Sequence, residues 1–124
     1  MANCAKVTLG PQGRNVLLAR EPWRPPIVTN DGVTIAKDIS LADPFANLGC
    51  KMVQEAAEKT NDRVGDGTTT SLVLTQYLVQ KGLSYITAQV NHLKLLHGME
   101  LAVQDALAQF CLLYTSVQLH LLLL

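Results

Sequence analysis

Hydrophobic positions recur at two different spacings along this chain, and the change falls at Asp43-Pro44. Before it, apolar residues come in short runs between turn formers. Val16-Leu17-Leu18 and the β-branched Ile27-Val28-Thr29 predict two brief strands, expected to pair antiparallel. Gly10-Pro11-Gln12-Gly13 predicts a turn ahead of the first strand. The proline-rich Glu21-Pro22-Trp23-Arg24-Pro25-Pro26 excludes helix between the strands. Asn30-Asp31-Gly32 ends the second strand as a turn, and Val33–Ile39 predicts a short helix. Residues 1–9 begin abruptly and are assigned no element.

From Asp43 onward the apolar period is 3.6. Asp43 suits an N-cap, and Pro44 suits the first helical position, where its missing N–H costs nothing. Phe45, Leu48, Met52, Val53 and Ala56 form one apolar stripe, with Lys51, Glu55 and Glu58 elsewhere on the surface. Asn61-Asp62 and Gly65 end this helix. A second helix is predicted from Thr68 through Leu72, Val73, Tyr77, Leu78 and Val79 to about Gly82 or beyond. It is apolar on more than one side and is expected to be central. A third runs from about Asn91 through Leu95, Leu96, Met99, Val103, Ala106 and Leu107 to Phe110. Three substantial helices and a small β-hairpin predict a mainly α domain. The Met and Leu stripes in these helices are read as core.

Composition narrows the class. The chain has 124 residues, 48% hydrophobic and 5% aromatic, with zero formal net charge. That is the composition of about one globular domain. Balanced charge offers no basic stripe for nucleic acid. No apolar run reaches the 18 or so residues a membrane span needs, and the N-terminus carries no signal-peptide pattern. Cys4, Cys50 and Cys111 form neither a CxxC pair nor a disulfide framework, which fits a reducing cytoplasm; each is read as a small buried apolar residue. His92, His97 and His120 lack ligand spacing and are read as surface or polar-contact residues.

The densest candidate chemistry lies in Gly65-Asp66-Gly67-Thr68-Thr69-Thr70, an acidic turn running into a helix. The two glycines let backbone approach a ligand closely. The hydroxyls and N–H groups that follow sit at a helix start, which attracts anions. Asp66 suits a hard divalent cation such as Mg²⁺, which travels with nucleotide phosphates. The hexapeptide alone also reads as a simple helix cap. No GxxxxGK[ST] occurs, so this is not a P-loop.

Two further segments decide between these readings. Val7-Thr8-Leu9-Gly10-Pro11-Gln12-Gly13-Arg14-Asn15-Val16 and Thr29-Asn30-Asp31-Gly32-Val33-Thr34-Ile35-Ala36 closely resemble the first part of the equatorial domain of chaperonins. Gly65–Thr70 resembles the third nucleotide motif of that family, in the same order and at similar spacing. The resemblance covers roughly residues 5–110. The surroundings of Asn15, Phe45–Gly49 and Val64-Gly65 look most like the bacterial and organellar 60 kDa branch.

This resemblance implies a helical equatorial domain that binds ATP, and a homo-oligomeric ring in which ATP hydrolysis drives the folding of substrate proteins in a closed cavity. Unfolded substrate proteins and a co-chaperonin lid are the implied partners, engaged by domains outside this sequence. Thr8, Leu9, Gly10 and Pro11 are implied to form the loop around the adenosine and phosphates, although Leu9-Gly10-Pro11 alone reads as a turn. Asn30 matches a position beside the triphosphate where many bacterial relatives carry Lys, so a hydrogen bond replaces a full charge. Asp31 matches a carboxylate that orients the attacking water or the metal; by itself Asp31-Gly32 reads as a turn. Asp66 is implied to bind Mg²⁺, and Gly67, Thr68, Thr69 and Thr70 to hold β- and γ-phosphate oxygens.

The resemblance also implies what is missing: the intermediate domain with its second catalytic aspartate, the apical domain, and the C-terminal half of the equatorial domain. Residues 1–110 are therefore expected to be a partial equatorial ATP-binding domain with weak or no ATPase. The alternative is a non-catalytic helical piece that associates with chaperonin subunits through its apolar faces. After Asp105 no charged side chain appears through Leu124. Cys111-Leu112-Leu113-Tyr114-Thr115-Ser116 reads like the translation of a transposon-end adaptor used in DNA library preparation. Residues 111–124 are accordingly expected to be an artefactual apolar tail outside the family likeness.

Overall fold

Asp43 does what its position predicts: its Oδ2 accepts from Ala46 N at 2.6 Å, and Pro44 opens the helix behind it. The computed structural model describes residues 1–20 and 23–122, with side-chain surroundings described as far as residue 115. Eight elements follow in chain order: α1 (Ala2–Ala5), a 3₁₀ turn (Lys6–Thr8), β1 (Val16–Leu18), β2 (Ile27–Thr29), α2 (Gly32–Asp38), α3 (Pro44–Val64), α4 (Thr68–Thr87) and α5 (His92–Leu122). β1 and β2 pair antiparallel, with Leu17 opposite Val28. This mainly helical architecture with one small hairpin matches the expectation. Part of the proline-rich connection, Glu21 and Pro22, lies outside the described residues.

The chain divides into two compact units, Met1–Gln80 and Lys81–Leu124. In the first, Ala2, Ala5, Val33, Ile35, Ala36, Ala57 and Leu72 form the core, flanked by Met1, Val16, Ile39 and Val53. Alanines dominate it, so the helices meet closely and only Ile35 and Leu72 fill space as large, fully buried side chains. Gln54 on α3 donates through Nε2 to Ala36 O at 2.8 Å and Ile39 O at 2.9 Å. It thereby adds a second donor to Ala36 O, which also accepts from Ile39 N, and ties α3 to the end of α2. α3 stops at Gly65, whose left-handed φ of 76° favours a residue without a Cβ, and whose N–H bonds to Asn61 O.

In the second unit α4 ends in a Schellman motif. Gln89 N–H bonds to Ile86 O at 2.9 Å and Val90 N–H to Tyr85 O at 3.0 Å. Gln89 takes a φ of 62°, a left-handed conformation normally left to glycine or asparagine. Asn91 then caps α5, its Oδ1 accepting from Leu93 N and Lys94 N.

Several expectations are corrected. Residues 2–8 are helical, because Ala2 and Ala5 pack into the core and hold a turn too short to persist alone. α4 is not central: only Thr68 and Leu72 are buried along it, while Leu74, Tyr77, Leu78 and Val79 face outward. The α3 stripe is open at one end, with Phe45 87% and Met52 68% exposed, while Val53 packs against the core; the apolar side chains described on α5 are largely exposed. Periodicity reports an apolar face, not a neighbour to cover it. Cys4 and Cys111 are exposed and Cys50 is half-buried, so none is a core residue. α5 continues past Phe110 without a break. The side chain of His120 lies outside the described residues; His92 and His97 are exposed as expected. Among the described residues no helix is long and apolar enough to cross a membrane.

Candidate functional site

Asp31 is placed by the start of α2, where it serves as N-cap. Its carboxylate accepts from Val33 N at 3.3 Å, Thr34 N at 3.0 Å and Thr34 Oγ1 at 2.6 Å. Thr68 Oγ1, from α4, adds a fourth donor at 3.3 Å. Partial burial pushes the carboxyl pKa up, but the hydrogen bonds from Thr34, Val33 and Thr68 outweigh it and leave the group below its ordinary value. Such a carboxylate stays ionised and is a poor base. It can still orient a water or a cation.

The Gly65–Thr70 turn delivers α4 to the same place. Gly67 adopts a φ of 75° and its carbonyl accepts the first bond of the helix, from Ser71 N. Because the residue at this cap is glycine, no side chain of its own covers the first N–H groups of α4. Asp66 Oδ1 accepts from Gly67 N at 2.6 Å, and the side chain is exposed.

The third segment is the loop after the 3₁₀ turn. Gly13 N–H bonds to Gly10 O at 2.9 Å and Arg14 N–H to Val7 O at 2.8 Å, so the loop closes on itself. Buried Thr8 donates from Oγ1 to Ala5 O at 2.8 Å and meets Thr69 Oγ1 at 3.2 Å.

These three segments, far apart in sequence, enclose one cavity of about 470 Å³. Its walls are Thr8, Leu9, Gly10, Asn30, Asp31, Gly32, Asp66, Gly67, Thr68, Thr69 and Thr70. Every expected site residue except Pro11 is in that wall; Pro11 is exposed in the adjoining turn. Sequence reasoning did not include Gly32 in the site. A Cβ there would stand 2.6 Å from Thr69 N and Oγ1, so only glycine lets α2 and α4 start side by side. The Asp31-Gly32 pair at a helix start was the available signal. Thr34, which holds Asp31, was also missed; a threonine three residues after an aspartate cap could have pointed to it. The wall carries two carboxylates and no Lys or Arg. Among the described residues no three His, Cys, Asp or Glu side chains gather as a metal site.

A sequence model of the TCP-1/cpn60 chaperonin family matches residues 1–121. The chain belongs to this family. The match continues past Phe110, where the sequence resemblance was expected to end. Among solved structures the chain is similar to a group III chaperonin crystallised in the open state, at 36% identity with a TM-score of 0.69. That alignment covers 86% of this chain and 20% of the other, so the chain spans about a fifth of that chaperonin's length. A chaperonin fold thus brings Thr8–Gly10, Asn30–Gly32 and Asp66–Thr70 to one cavity wall.

Proposed function

We propose that this chain is the part of an ATP-dependent chaperonin subunit that binds ATP with Mg²⁺, and that the cavity between α2, α4 and the Thr8 loop is the nucleotide site. The convergence of three separated segments on that cavity is the observation that carries the reading. Its volume lies within the range of small-molecule sites. The N–H groups at the start of α4, which Gly67 leaves without a capping side chain, suit phosphate oxygens, aided by the helix dipole. Asp66 would hold Mg²⁺, a hard cation that is commonly bound through one or two carboxylates together with nucleotide phosphates. When bound, Mg²⁺ neutralises phosphate charge that no Lys or Arg of the wall can offset. Thr8, Leu9 and Gly10, with Pro11 stiffening the turn behind them, flank the nucleoside and phosphates. Asn30 hydrogen-bonds beside the triphosphate, and Asp31 orients the water or the metal.

Ring assembly, the folding of substrate proteins and a lid partner belong to the whole chaperonin under this proposal, as does a reducing, cytoplasmic setting. Residues 1–110 are its partial equatorial domain. Titration calorimetry of the 124-residue chain tests the site: saturable Mg-ATP binding is expected, and its absence overturns the reading. Phosphate release should stay near the uncatalysed level, because the chain spans about a fifth of the chaperonin it resembles and the family's second catalytic aspartate belongs to a domain outside it. Steady turnover would contradict that. The open faces of α3 and α4 favour a second reading, a non-catalytic piece that associates with chaperonin subunits. The same titration separates the two.

A further inference from the structure

Three threonines in a row open α4, and their hydroxyls are not equivalent. Thr68 Oγ1 donates to Asp31 Oδ1 at 3.3 Å. A hydroxyl has a single proton, and Thr8 gives its own to Ala5 O at 2.8 Å. In the 3.2 Å contact between Thr8 Oγ1 and Thr69 Oγ1 the donor is therefore Thr69. Thr8 is 9% exposed, so little water competes for this contact. On its other side Thr69 abuts Gly32 so closely that a Cβ there would fall 2.6 Å from both its N and its Oγ1. Thr69 thus touches the loop and α2 at once, and its hydroxyl proton is committed within the protein.

We propose that Thr69 is a positioning residue. Its hydroxyl latches the Thr8 loop to the start of α4 and keeps the cavity's three segments in register, instead of offering a proton to phosphate. The latch is a property of the ligand-free chain. Its consequence for nucleotide rests on the reading of the cavity given above: of the three hydroxyls, Thr70's is left to donate to a ligand, since among the described contacts it has no hydrogen bond of its own.

Amide hydrogen exchange on the ligand-free 124-residue chain tests the latch. The Gly13 and Arg14 amides, which close the loop, report on it. Thr69→Val keeps the volume and removes the proton; it should speed exchange at both amides about fivefold, as loss of one hydrogen bond does. The Gly65 amide, capped on Asn61 O, should not change. Thr69→Ser should restore wild-type rates at Gly13 and Arg14. Unchanged exchange in Thr69→Val, or no rescue by serine, overturns the proposal. If Thr69→Val does not fold, folding of Thr69→Ser supports a need for the hydroxyl, and failure of both refutes it. In a parallel titration Thr69→Val should weaken Mg-ATP about fivefold, with serine restoring it. Absence of Mg-ATP binding in the wild-type chain would defeat the nucleotide reading alone, leaving the exchange result to decide the latch.

Discussion

Four donors on one carboxylate make Asp31 an acid sensor for its own helix. The folded chain holds the Asp31 pKa below its ordinary value, so in falling pH the unfolded chain takes up the proton first. The stability Asp31 adds is therefore complete above the ordinary carboxylate pKa of about 4 and drains away as pH drops through the lowered folded value. Urea unfolding at stepped pH should show that decline, and Asp31→Asn should flatten it; an equally steep decline in the variant would sink the assignment. Asp31 was readable from sequence because its motif is local, whereas Gly32 and Thr34 beside it were missed, since their roles depend on contact with Thr69 and with the Asp31 carboxylate. The Thr8–Thr69 contact was not, since the direction of a hydroxyl proton depends on partners that sequence spacing does not place. Whether Asp31 is a turn residue or orients water or metal was a choice the sequence left open, and the geometry shows a helix cap whose face also lines the cavity.

Elements with local stop and start signals were the readable ones. Asp43-Pro44 opens α3 and Gly65 closes it as expected, because cap chemistry is local. α1 was not, since tertiary packing holds those four residues and their intrinsic period does not. The end of α4 was placed only loosely, at Gly82 or beyond, because the residue that turns the chain is Gln89 and not a glycine. Its left-handed φ of 62° costs an L-residue roughly 1–2 kcal/mol. Gln89→Gly should recover about 1 kcal/mol of that and slow exchange at the Val90 amide, which closes the motif on Tyr85 O. Faster exchange at Val90 would show that the glutamine side chain supports the turn.

Across the molecule, many of the described apolar side chains on α3, α4 and α5 stay exposed where the sequence led one to expect a core. Period and hydropathy show that a face is made for burial; they carry no record of which surface buries it. Contiguous apolar patches of this kind promote association. Sedimentation velocity should show self-association that grows with concentration, and Phe45→Asp, at the most open point of the α3 stripe, should reduce it without lowering the melting temperature. A monomer at all concentrations would count against this. Charge tells a different story at the same scale. The chain as a whole is neutral, yet the cavity wall holds Asp31 and Asp66 and no Lys or Arg. Added electrolyte shortens the reach of that repulsion to about 10 Å at 0.1 M. Without divalent metal, ATP should thus bind more tightly as tetramethylammonium chloride is added, the opposite of a site lined with lysines; for this pocket, salt acts as an accomplice of the anion.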